Sequence, residues 1–153
     1  MGRASAKVVL GGPISEAESL WYDHSRWPAF VEGFAHVVKL EGDWPRPGSR
    51  VVWDSARDGR GRMVERVVTF EPRVGQTVEV EDPKLRGTQR IAFEARDGET
   101  IGVSLELDYK LKEPGFGGPI VDLLFIRRAL GDSLRRTLTR FGRELEAERE
   151  LKL

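Results

Sequence analysis

Apolar and polar residues alternate along the second half of the chain, and the period changes only near its C-terminal end. Ile101, Val103, Leu105, Leu107, Tyr109 and Leu111 interleave with Gly102, Ser104, Glu106, Asp108, Lys110 and Lys112. Side chains of a strand point alternately to its two faces, so residues 100–112 predict a strand with one apolar and one charged face. The same period of two predicts strands over 35–41, 50–56, 62–71, 77–81 and 89–96. Between them stand Gly42, Pro45-Arg46-Pro47-Gly48, Asp58-Gly59, Gly75, Asp82-Pro83 and Asp97-Gly98, which are turn-forming combinations. Asp97-Gly98 reads as a two-residue hairpin turn. Connections this short join spatial neighbours, so an antiparallel meander is expected.

An earlier strand over 4–10 ends at Gly11-Gly12-Pro13. Ser15 then offers an N-cap, Glu16 and Glu18 suit a first helical turn, and Ala17, Leu20 and Trp21 recur on one face of a helix to about Ser25. A residue before proline avoids helical geometry, so Trp27-Pro28 is expected to break that helix, with Pro28 opening a second short one over 29–32. Trp27 is placed to lock the two together, and Trp44, beside a proline-rich turn, is expected to be partly exposed. From Pro119 the period becomes helical. At about 100° per residue, Ile120, Leu123, Leu124, Leu130, Leu134, Leu138, Phe141 and Leu145 form one stripe. Arg128, Asp132, Arg135, Arg136, Thr139 and Arg143 fall away from its centre. About 30 residues of helix would run roughly 45 Å. A sheet with one apolar face needs one covering layer, which this helix supplies, giving an α+β fold in two layers. Acidic residues after Glu146 oppose the helix dipole, so the tail is expected to fray.

Composition then removes whole classes of chemistry. The chain has 153 residues, 25 basic and 25 acidic side chains, two His and no Cys. That length predicts a single domain over 1–153, large enough for a stable core. Without Cys there are no disulfides, thiol nucleophiles or Cys-held metal sites. Zero net charge removes the usual basis for nucleic-acid binding. No run approaches the 18 or more apolar residues of a membrane span, and the N-terminus lacks the apolar run of a signal peptide. No integral membrane association is expected, and the default compartment is cytoplasmic. The last helix carries six Arg against two Asp between Pro119 and Arg143, followed by Glu144, Glu146, Glu148 and Glu150. This is either a face for an acidic partner or membrane surface, or a solvated helix surface. Monomer and homodimer both stay open.

Strand, two short helices, six strands and one long helix follow in that order. The signature segments are Val8-Val9-Leu10, Trp27-Pro28-Ala29-Phe30, Pro47-Gly48-Ser49-Arg50-Val51-Val52-Trp53, and Gly117-Gly118-Pro119-Ile120 leading into an Arg-rich helix. Together they resemble the helix-grip fold of the START-like, or SRPBCC, superfamily, and within it the polyketide cyclase/dehydrase and lipid-transport branch. The resemblance covers essentially the whole chain. It implies a curved antiparallel sheet of about seven strands wrapped on the C-terminal helix, with a ligand cavity in the gap. The implied lining is Trp53, Val51, Phe93, Val103, Leu105, Leu107 and Tyr109 from the sheet, and Leu123, Leu124, Arg127, Gly131 and Leu134 from the helix. The implied partner is a small hydrophobic molecule: a lipid, a polyketide-like compound or an aromatic. A carrier is the leading expectation. The alternative is a cyclase or aromatase that positions its substrate in the same cavity and adds acid–base help. A regulatory module that binds a client protein is a third.

Three residues are candidates for chemistry. Arg127 falls near the centre of the apolar stripe, where an unpaired charge is untenable. Its partner would be a ligand carboxylate, phenolate or carbonyl; otherwise its stem packs while its head reaches the rim or pairs with Glu65. Gly131 lies on the same stripe and costs about 1 kcal/mol against Ala in a helix interior. It is expected to border the cavity, with close packing or a helix bend as the other reading. Either Glu65 or Arg66 must face inward. An inward Glu65 would be an acid or base with a raised pKa, and an outward one would join a cross-strand ion pair. Tyr109 would donate a hydrogen bond to a ligand carbonyl or send its hydroxyl to the rim. His24 and His36 have no metal-ligand spacing, so no metal is expected. Gly115-Phe116-Gly117-Gly118 lacks the third glycine of a dinucleotide fingerprint, because position 120 is Ile, and reads as a connector or gate. No cofactor is expected.

Overall fold

The computed structural model describes residues 2–56, 61–112 and 119–152, with side chains described from residue 124 onward in the last segment. The elements are β1 (Gly2–Gly11), α1 (Ile14–Tyr22), a 3-10 turn (His24–Arg26), α2 (Trp27–Phe30), β2 (Phe34–Glu41), β3 (Arg50–Ser55), β4 (Arg62–Glu71), β5 (Gly75–Glu81), β6 (Leu85–Arg96), β7 (Thr100–Leu111) and α3 (Pro119–Leu151). The seven strands form one antiparallel sheet in the order β1-β7-β6-β5-β4-β3-β2. Strands β2 to β7 are thus the expected meander, and β1 returns to pair with β7. The alternation of β7 places Ile101, Val103, Leu105, Leu107 and Tyr109 in the core, while Asp108 pairs with Arg3 on the outer face.

Several boundaries differ from expectation for local reasons. Strand β6 begins at Leu85 rather than residue 89. The Asp82 carboxylate accepts the backbone N–H groups of Lys84 and Leu85 at 2.7 and 2.8 Å. This ties the turn so tightly that pairing resumes at once, and Gly87 is carried inside the strand. The β6–β7 hairpin closes with three residues, since Arg96 pairs with Thr100, and both Gly98 and Glu99 adopt positive φ. Helix α1 starts at Ile14 after an extended Pro13, so Ser15 lies inside the first turn and caps nothing. Trp27 is itself helical despite the following proline. The 3-10 turn delivers the chain already helical, and α2 ends at Phe30.

Helix α3 packs along β1 and against α2. Leu130, Leu134, Leu138, Phe141 and Leu145 are its buried stripe. Gly142 allows the close approach: a Cβ there would lie 2.8 Å from Leu10 Cδ2. The last turns do not fray; α3 continues to Leu151. Arg26 holds Glu144 at 2.5 Å and Glu148 at 3.3 Å, and Arg149 reaches Glu16 at 3.6 Å. These pairs offset the unfavourable dipole. Helix α1 meets β6 and α2 meets β2, so both add to the covering layer. Trp21 stacks on Phe30 at 5.6 Å, and Phe141 meets both rings edge-on.

Candidate functional site

Over the middle of the sheet, the layers leave a cavity of about 60 Å³. All four tryptophans of the sequence stand in its wall. Trp21 comes from the end of α1, Trp27 from α2, Trp44 from the β2–β3 connection and Trp53 from β3. Val78, Val80, Ile91 and Leu105 form the sheet side, and Val31 and Met63 add apolar surface. The polar members are Glu32, Glu65, Gln76, Gln89 and Thr137.

Backbone carbonyls at the end of α1 fix two of the indoles. Trp27 Nε1 donates to the Trp21 carbonyl at 2.8 Å, and Trp44 Nε1 donates to the Tyr22 carbonyl at 2.8 Å. Trp27 therefore joins α1 to α2, and Trp44 is partly exposed, as expected. The rings of Trp27 and Trp44 meet edge-on at 5.6 Å, and Phe34 bridges Trp27 and Trp53. Tyr22 packs behind them against Phe70 and Phe93. Its burial, with Glu18 nearby, raises the phenol above its ordinary range, so it stays protonated.

Glu65 is the charged residue of the sheet face. Its neighbours on β4, Met63 and Val67, point the same way and are buried, as is Glu65 itself. In register it lies between Val51 on β3 and Val80 on β5. One carboxylate oxygen accepts Trp53 Nε1 at 2.5 Å. Arg66 faces out instead and approaches Glu79 at 4.0 Å. At the helix side, the Glu32 N–H donates to Thr137 Oγ1 at 3.1 Å, and the Glu32 carboxylate is bonded by Arg136. Partial desolvation pushes the Glu32 pKa up, but the Arg136 hydrogen bond, with Ser133 and nearby charges, outweighs it and holds the group below its ordinary value.

Of the residues expected to line the site, Trp53, Glu65 and Leu105 meet in this cavity. Val51, Phe93, Val103, Leu107 and Leu134 are buried in the surrounding core. Tyr109 is buried too; its ring lies over Gly2, and its hydroxyl finds no hydrogen-bond partner among the described residues. Leu124 and Arg127 are exposed, a correction to their expected place on the covered stripe. One turn before Leu130 the core contact passes to Ile126, which is partly buried against it, while Arg127 beside it turns outward. Gly131 does not border the cavity. A Cβ there would find only Arg135 Nη2, at 4.0 Å. The side chains of Ile120 and Leu123, the Asp58-Gly59 turn and the segment 115–118 lie outside the described residues. His36 sits near Asp54 on the exposed surface at 3.5 Å, and His24 packs edge-on to Trp27. Among the described residues, no cluster of His, Cys, Asp and Glu is arranged to hold a metal.

The lining residues missed by sequence reasoning left a visible signal in two cases. Gln76 and Gln89 each share a strand face with buried aliphatics, Val78 and Ile91, so a polar side chain on an apolar face marked them.

Residues 1–146 match the family described as polyketide cyclase/dehydrase and lipid transport. The chain belongs to this family. No curated protein matches the sequence. Among solved structures, the Zhui aromatase/cyclase from Streptomyces sp. R1128 is similar with a TM-score of 0.77 at 14% identity, over 95% of this chain and 93% of that one. A START superfamily protein from Mycobacterium smegmatis gives 0.71 at 15% identity, over 95% and 97%. A protein from Thermus thermophilus gives 0.74 at 18% identity, over 96% and 99%. These likenesses establish the helix-grip fold of the START superfamily. No helix among the described residues is long and apolar enough to cross a membrane.

Proposed function

We propose that this family member binds a small hydrophobic or aromatic molecule in the tryptophan-walled cavity. The observation that carries this reading is the convergence of all four tryptophans on one space. Ligand sites gather apolar walls around a few polar groups, as here. At about 60 Å³ the cavity is smaller than the ~150 Å³ void that admits benzene, so binding requires the wall to yield. The contacts nearest the helix side are the Glu32–Arg136 ion pair and the Glu32–Thr137 hydrogen bond, polar links that open at low cost in water.

The test is titration with N-phenyl-1-naphthylamine, an effectively neutral fluorescent probe, with energy transfer read from the tryptophans. Saturable emission is expected, and Val80→Phe, which fills the floor, should weaken binding about tenfold while overpacking costs some 1–3 kcal/mol of stability. Near-UV circular dichroism checks that the variant is folded. Absence of saturable emission, or binding indifferent to Val80→Phe, contradicts the proposal.

A second reading, a cyclase- or aromatase-like enzyme, is favoured by one observation. The buried Glu65 carboxylate stands in the wall, fixed by Trp53, where a positioned acid or base would act on a bound carbon skeleton. Under this reading Glu65→Gln abolishes turnover and leaves probe binding intact.

A further inference from the structure

The chain contains two glutamines and no asparagine, so Gln76 and Gln89 are its only side-chain carboxamides. Both stand in the wall of the cavity. On the inner face of the sheet, Gln76 of β5 pairs in register with Ile91 of β6, and Val78 pairs with Gln89. The two amides are therefore diagonal neighbours with Cα atoms roughly 7–8 Å apart, and the aliphatics take the other two corners. Gln76 is 5% exposed. Its Nε2 donates to the Pro45 carbonyl at 3.1 Å, which fixes the orientation of the amide, because a carbonyl only accepts. Oε1 is left as an acceptor without a hydrogen-bond partner among the described residues, and the half-buried Gln89 amide has no partner there either. A buried polar group left unbonded costs more than a made bond yields, so two amides at one space call for a ligand that satisfies both.

The charged groups of the wall are occupied elsewhere. Glu65 is engaged by its own contacts in the protein, and Glu32 by Arg136. No Lys, Arg or His lines the cavity among the described residues. An ionic ligand head would add a charge that this wall does not balance, at a cost well above that of a neutral group. A ketone only accepts and leaves Gln76 Oε1 unbonded. A hydroxyl carries both functions on one atom, whereas the two amides are set apart across the diagonal. A carboxamide carries its N–H and its C=O on separate atoms and meets both. We infer that the cavity takes a neutral ligand with a terminal carboxamide held between Gln76 and Gln89, and an apolar or aromatic body against the indoles. The ligand N–H donates to Gln76 Oε1, and its carbonyl accepts from Gln89 Nε2. The amide head suits the space of about 60 Å³, while the body lies where the wall yields. This inference rests on the cavity being the binding site and names its ligand class.

Three compounds of one skeleton test it by calorimetry at neutral pH: 3-phenylpropanamide, 4-phenylbutan-2-one, in which a methyl replaces the amide NH2, and 3-phenylpropionate. The amide is expected to bind about tenfold tighter than the ketone, and the carboxylate at least about tenfold weaker than the amide. Gln76→Met removes the acceptor and should bring amide and ketone within about threefold. Gln89→Met, which breaks no hydrogen bond among the described residues, should weaken both compounds to a similar degree. In the wild-type protein, the two glutamines give the only side-chain carboxamide NH2 signals in nitrogen-correlated NMR spectra. Both should shift on saturation with 3-phenylpropanamide, a readout that does not depend on any variant folding. A preference for the amide that survives Gln76→Met, or silent glutamine signals at saturation, overturns the inference. If neither neutral compound binds, the cavity reading falls with it. If the ketone binds as tightly as the amide, only the carboxamide assignment falls.

Discussion

Two glycines answer oppositely to an added methyl group. Gly131, inside α3, has open space where a Cβ would stand. Gly87, inside β6, has the Asp108 carbonyl oxygen 2.0 Å from that position. Gly131→Ala is therefore expected to stabilise the protein by about 0.4–1 kcal/mol, by restricting the unfolded chain and restoring helix propensity. For this length 1 kcal/mol raises Tm by about 2–4 °C. Gly87→Ala is expected to destabilise by about 1–3 kcal/mol, since the clash is with backbone. Thermal melts of the two variants check both signs, and a lower Tm for Gly131→Ala contradicts this account of α3. The sequence placed Gly131 on the apolar stripe of α3, with a cavity, close packing or a helix bend as its readings, and gave no signal for Gly87. The space around a missing side chain depends on what the fold brings opposite it, and no local pattern encodes that. Glu65 was more legible, because alternation with Met63 and Val67 forced either it or Arg66 inward.

At the level of elements, periodicity served well where a segment has a neighbour along its full length and failed where it has none. The 100° count places Arg127 on the same stripe as Leu130 and Leu134, yet Arg127 is exposed and Ile126 beside it makes the partly buried contact one turn before Leu130. Period describes the helix and not the reach of the layer beneath it. The tail of α3 erred in the other direction: Arg26, far away in sequence, supplies the charge that holds Glu144 and Glu148. The contact between the α2–β2 turn and α3 makes a pH prediction. Desolvation pushes the Glu32 carboxylate up, but the Arg136 and Ser133 hydrogen bonds, with the charges of Arg136 and Arg140, together outweigh it and hold the group below its ordinary value of 4.5. A depressed carboxylate stabilises the fold above that value and loses its contribution as pH falls through the lowered pKa. The stability gap between wild type and Arg136→Gln should therefore be present at neutral pH and close as pH falls below 4.5. It is small, because the pair is largely solvated. Denaturant unfolding across that range measures it; a gap that is constant with pH contradicts the ion pair as its source.

Across the whole molecule, the order of elements was legible because strands, turns and the long helix each carry their own period and punctuation. The cavity was legible only in outline. Its sheet wall follows from alternation, but Trp21 enters it with α1, and Trp27 and Trp44 are brought there by hydrogen bonds to the end of α1. Those bonds depend on how the short helices turn over the sheet, a tertiary fact without a sequence period. The resulting claim is that ligand binding happens at the sheet centre, under the indoles, and not on the exposed apolar residues Leu124 and Phe125 of α3. Methyl-resolved NMR during titration with 2-phenylethanol, a small aromatic without charge, tests this most directly. The account predicts saturating shifts at Val78, Val80, Ile91 and Leu105, with Leu124, Val9 and Val38 unmoved. Shifts confined to Leu124 and the other exposed residues, with the four cavity side chains silent, would contradict it.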